Sequence, residues 1–130
     1  MARRVFLSFK AEDRKRVDGL RLLAANPNFE IEFYDESVRD PYDSTNANYI
    51  KSKLTEKITR ASVTVCLISE DTHTSEWVNW ELEKSLEKGN KIIAMALKDV
   101  SRAVLPRKIK ELNLTFHSWD HEHLAKLINS

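Results

Sequence analysis

"SVTVCLISEDTHTSEWVNWELEKSLEKGNKIIAMAL", residues 62–97, places two apolar runs on either side of a helical pattern. The runs "SVTVCLI" (62–68) and "KIIAMAL" (91–97) are nearly continuous apolar, which is how strands covered on both faces read. Between them, Ser75 suits an N-cap, Glu76 the positive end of a helix dipole, and Gly89 after Lys88 a stop. Val78, Leu82, Ser85 and Leu86 form the stripe that such a helix would turn to a core. Strand, helix and strand in this order predict a parallel crossover unit.

Three more strand-like runs flank this unit. "RRVFLSF" (3–9) is again nearly continuous apolar, whereas "FEIEFY" (29–34) and "LNLTF" (112–116) alternate. Alternation marks a half-exposed strand, as at a sheet edge. Three central strands and two edges predict a single α/β domain over residues 1–130, flavodoxin-like, with a parallel sheet of order 2-1-3-4-5 and helices on both faces. Residues 13–25 carry Val17, Leu20, Leu23 and Ala24 at helical spacing and stop at Asn26-Pro27. Residues 46–60 repeat Ile50, Leu54 and Ile58, and Asp120 caps a final helix bearing Leu124, Leu127 and Ile128. Residues 98–111, around Pro106, read as an irregular or short-helical crossover.

Bulk properties exclude several function classes. The 21 basic and 20 acidic residues leave a net charge of +1, with no dedicated nucleic-acid surface or polybasic membrane patch. No apolar stretch reaches transmembrane length, and "MARRVFLSFK" reads as a first strand, not a secretion signal. The lone Cys66 excludes a disulfide framework, fits a reduced cytoplasmic setting and is expected to be a buried, inert thiol.

Ligands of open parallel sheets bind beyond the carboxyl ends of the strands, at the switch point beside the first strand. The loops there are 8–13, 35–45 and 69–75. They offer Ser8, Phe9, Lys10, Asp35, Arg39, Ser69 and Thr72, joined by Trp77 and Glu81 from the next helix. That set suits a ligand with a phosphate and a flat ring. With only Gly19 and Gly89 in the chain, neither a P-loop nor a GxGxxG turn can form. "DHEH" (120–123) sends its two histidines to different helix faces, so no metal is expected. A serine nucleophile elbow is absent. A phosphoacceptor receiver would want a lysine after the fifth strand, where the chain has "FHSWD" (116–120). Glu81 itself admits two readings: a solvated charge pairing with Lys84, or a carboxylate held against Trp77 for chemistry. Spacing leaves both open.

Taken together, "RRVFLSFKAED", "FYDESVRDPYDS", "IKSKLTEKITRASVTVCLIS" and "TSEWVNWELEKSLEKGNKIIAMAL" resemble the TIR superfamily. More narrowly, the chain is similar to the TIR-like domain of Thoeris antiphage systems, the ThsB type. The resemblance implies an enzyme that cleaves the nicotinamide–ribose bond of NAD, a substrate and not a resident cofactor, and makes an ADP-ribose-derived, cyclic signal for a separate effector protein. It implies Glu81, four residues after Trp77, as the catalytic carboxylate, with Ser8, Phe9, Lys10, Asp35 and Trp77 as substrate contacts. It also implies self-association through the 35–45 loop. The rival class is a non-enzymatic TIR-like module acting through protein contacts.

Overall fold

The computed structural model describes residues 3–24, 31–33, 47–100 and 102–130. Its strands are β1 (Arg3–Ser8), β2 (Ile31–Phe33), β3 (Val63–Ile68), β4 (Lys91–Ala96) and β5 (Phe116–His117). Its helices are α1 (Arg14–Ala24), α2 (Ala47–Arg60), α3 (Glu76–Glu87), α4 (Arg107–Glu111) and α5 (His121–Asn129). All strand pairs are parallel, in the order β2-β1-β3-β4-β5. Among the described residues no helix is long and apolar enough to cross a membrane.

Every residue of β3 is buried, as its unbroken apolar run requires of a strand with helices on both sides. The period of two splits the sheet into two faces. Val5, Leu7, Val65, Leu67, Ile93 and Met95 pack with Val17 and Leu20 of α1 and Leu124 and Ile128 of α5. On the other face Cys66, Ile68 and Ala94 pack under Val78 and Leu82 of α3 and Ile109 of α4. Phe6 packs with Ile50, Leu54 and Ile58, the expected stripe of α2.

Helix α3 begins and ends on local chemistry. The Ser75 side chain accepts from the Val78 N–H at 3.2 Å, the predicted N-cap. At the far end Gly89 takes φ 79°, and the Gly89 and Asn90 amides donate back to the Leu86 and Ser85 carbonyls. This paired closure, a Schellman motif, satisfies carbonyls that the helix leaves unpaired.

Two expectations are corrected. Leu86 does not join the core stripe; it is 48% exposed, and the buried residues of α3 are Val78, Glu81, Leu82 and Ser85. The strand expected over 112–116 is instead the two residues Phe116–His117. Leu112 caps α4, Asn113 sits at φ 52°, and the Asn113 and Leu114 amides return to Lys110 and Ile109. Leu114 then packs beside Ile109, so the alternating leucines belong to a helix closure with its hydrophobic contact. The expected 35–45 loop lies outside the described residues.

Candidate functional site

Ser8 is the last residue of β1 and pairs in register with Cys66 of β3, so its hydroxyl stands at the carboxyl edge under α3. Glu81 comes down to it from the second turn of α3, one turn after Val78. The Ser8 Oγ donates to Glu81 Oε1 at 2.8 Å, and both residues are 0% exposed. The solvated-charge reading of Glu81 therefore fails. Lys84, its i+3 neighbour, reaches Glu87 at 3.5 Å and lies 5.6 Å from the Trp80 ring centroid. A carboxylate shut away from water is destabilising unless its surroundings compensate, and such groups cluster at working sites.

The glutamate's field is felt next door. Burial pushes the Cys66 thiol far above its ordinary range, and the Glu81 charge adds to the effect.

The loops after β1 and β3 form the rim and are stitched together twice, with a third tie from the first turn of α1. Lys10 Nζ donates to Thr74 Oγ1 at 3.2 Å and stands 3.6 Å from Glu12. Ser69 Oγ donates to Asp13 Oδ2 at 2.6 Å, while the Ser69 amide donates to Thr72 Oγ1 at 2.7 Å. Arg16 reaches Glu70 at 3.2 Å. The backbone amide and the Arg16 guanidinium hold the Glu70 carboxyl below its usual range.

Of the residues expected at the site, Ser8 and Glu81 come together, and Lys10 lines the rim one residue beyond Phe9. Phe9 goes elsewhere: it is 1% exposed and packs with Val17 and Leu20 under α1, because position 9 continues the face of Val5 and Leu7. Trp77 is partly buried against Phe6, Ile50 and Leu54 and meets Trp80 edge-on, ring centroids 6.1 Å apart. It braces α3 against α2 beside the glutamate. Asp35 and Arg39 lie outside the described residues. Among the described residues no three histidine, cysteine or acidic side chains gather as a metal site.

Sequence reasoning missed a buried polar chain behind Glu81. Asn90 Nδ2 lies 3.3 Å from Thr64 Oγ1, Thr64 Oγ1 lies 2.7 Å from Ser85 Oγ, and Ser85 Oγ donates to the Glu81 carbonyl at 2.8 Å. The signal was available: Thr64 is the one hydroxyl within an otherwise apolar strand.

Fold and site define a small parallel α/β protein with an acid buried at the carboxyl edge of its sheet. The chain belongs to the family described as Thoeris protein ThsB, TIR-like domain, whose model matches residues 6–102. It is 33% identical over 99 residues to a Bacillus cereus (strain MSX-D12) protein named "Putative cyclic ADP-D-ribose synthase ThsB1", covering 73% of this chain. It spans about half of that relative's length, 52%. Among solved structures, a 2-deoxyribosyltransferase from Bacillus psychrosaccharolyticus is similar in fold, with TM-score 0.69, 15% identity and coverage of 94% of this chain and 90% of that one. The TIR domains of the activated Roq1 resistosome give TM-score 0.60 at 17% identity, covering 97% of this chain and 96% of that one. A CMP N-glycosidase of Clostridium botulinum, BcmB, gives 0.58 at 18% identity, with 97% of both chains covered.

Proposed function

We propose that this chain is an enzyme that cleaves the nicotinamide–ribose bond of NAD and closes the ADP-ribose unit into a cyclic signal nucleotide in antiviral defence. The observation that carries the reading is the Glu81 carboxylate, fully buried on α3 and held by the Ser8 hydroxyl at 2.8 Å. Family membership and the relative named as a cyclic ADP-D-ribose synthase support it. At identities of 15–18% the three solved structures speak for the fold alone.

The chemistry needs little apparatus. The nicotinamide ring of NAD is cationic, so when the bond between its nitrogen and the ribose C1′ breaks, the electron pair leaves with a neutral ring. Positive charge then develops on the ribose as an oxocarbenium-like centre, which a fixed carboxylate stabilises. Glu81 has that role. An atom of the same ADP-ribose unit, or a water molecule, then captures C1′, giving the cyclic or the linear product. Lys10 at the rim supplies a positive charge for the diphosphate, and Trp77 braces the helix that carries Glu81. Asp35 is assigned to substrate contact, and the 35–45 loop to self-association, tested by sedimentation across protein concentration with and without NAD. Strict monomer behaviour with full activity would remove the association.

The deciding experiment compares nicotinamide release from NAD by wild type and Glu81→Gln, alongside melting curves. Losing a charge that faces the transition state costs roughly 10² or more in rate. Stability should hold or rise, because a neutral amide replaces a buried charge. Equal rates would leave a TIR-like module that works through contacts alone.

A further inference from the structure

The hydroxyl chain behind Glu81 has a direction. Ser85 owns a single hydroxyl hydrogen, which goes to the Glu81 carbonyl at 2.8 Å. In the 2.7 Å contact between Thr64 Oγ1 and Ser85 Oγ, Thr64 must therefore be the donor. Thr64 Oγ1 accepts in turn from Asn90 Nδ2 at 3.3 Å, and the same amide group donates to the Ile58 carbonyl at 3.1 Å. Thr64 and Ser85 are fully buried. Asn90 is delivered to this place by the glycine closure of α3, whose amide donates to the Ser85 carbonyl at 3.0 Å. From the Asn90 amide, which is anchored on the Ile58 carbonyl at the end of α2, the donations run one way through Thr64 and Ser85 to the backbone of Glu81. Chains of this kind polarise and stiffen one another.

Glu81 is thus held at both ends. Ser8 of β1 grips the carboxylate, and Thr64 of β3 grips the helix turn that carries it, through Ser85. Phe6 and Thr64 are register partners, so the two grips come from neighbouring strands one pleat apart. An apolar contact would fill this space without fixing the rotation of α3 about its axis, whereas a hydrogen bond of 2.7 Å between two side chains tolerates little rotation.

We propose that Thr64 and Ser85, in series with Asn90, are positioning residues that set the rotation of α3 and thereby the placement of the Glu81 carboxylate. The proposal rests on the NAD-cleaving role given to Glu81 above. Misplacing a reacting group by about 1 Å can cost on the order of 10² in rate, and a partial loosening costs less.

The test uses the full chain under conditions where wild type releases nicotinamide. Thr64→Val keeps the volume and removes the hydroxyl. It is expected to lower kcat about tenfold with KM within about twofold, since binding groups at the rim are untouched. Thr64→Ser, which restores the donor, should recover most of the loss. Ser85→Ala breaks the last link on a helix that tolerates alanine well, and it decides the matter should Thr64→Val not fold. Full kcat in both variants while Glu81→Gln is inactive would overturn this inference and leave the catalytic reading standing. Full activity in all three would overturn the catalytic reading itself. A loss of kcat that merely follows the folded fraction, read from melting curves, or that Thr64→Ser fails to repair, would reduce the chain to ordinary packing.

Discussion

The Ser8 hydroxyl and the Glu81 carboxylate, 73 residues apart in the chain, meet through a hydrogen bond of 2.8 Å with neither side chain reaching solvent. Removing the donor takes away a bond to a charged group, typically about 1.5–3 kcal/mol. Ser8→Ala should therefore lower stability by roughly that amount and slow nicotinamide release, though less than Glu81→Gln. Urea titration and the release assay check this pair. Unchanged stability would mean that the buried glutamate does not depend on Ser8.

Histidine titration gives the folded protein a pH limit. Partial burial lowers the His117 pKa, and neighbouring His123, whose Nε2 lies 3.3 Å from His117 Nδ1, lowers it further. A group whose folded pKa lies below its unfolded value favours folding above the unfolded value and loses that contribution as pH falls. Stability should thus decline as pH drops through about 6.5, the ordinary histidine value. The expected check is a denaturant midpoint measured from pH 7.5 to pH 5, flattened in His117→Gln. An equal slope in that variant would assign the effect elsewhere.

The two glycines should respond in opposite directions. Gly89 sits at φ 79° with open space where a side chain would go, so alanine there meets no clash but enters a disfavoured backbone region. Gly89→Ala should cost about 1–2 kcal/mol. Gly19, inside α1 and equally uncrowded, carries no such constraint. Gly19→Ala should gain about 0.5–1 kcal/mol. Chemical denaturation of both variants decides the ordering.

Cys66 should react with a thiol reagent only through opening of the fold. Its sulfur is fully buried, and burial together with the Glu81 charge suppresses the thiolate. Labelling should be slow in buffer and accelerate with denaturant in step with unfolding. Fast labelling in buffer would contradict the buried position of β3.

The layers were legible because burial on both faces leaves an unmistakable trace: β3 is all apolar apart from Thr64, and α2 repeats its buried residues at a regular interval. The caps at Ser75 and Asp120 were legible for a similar reason, since a side-chain oxygen before a helix has one dominant use. Leu112 and Leu114 misled because alternation over five residues also arises when a short helix closes and its tail folds back. Glu81 was readable as a candidate and not as a buried group. Only the fold brings Ser8 beneath it. Phe9 illustrates the converse, a residue next to the site in sequence whose strand parity sends it to the opposite face.

Strand β1 precedes both of its ladder partners in the chain and sits inside the sheet. Its residues Arg3–Val5 pair with β2, while Val5–Ser8 pair with β3. From Phe6 onward the strand has no described ladder partner except residues 64–66, so a nascent chain shorter than that carries Phe6 and Leu7 with open backbone edges. Such an edge invites pairing with other chains. The arrangement that later seals the glutamate in place thus leaves β1 with an open edge on the ribosome until the third strand emerges and closes beside it.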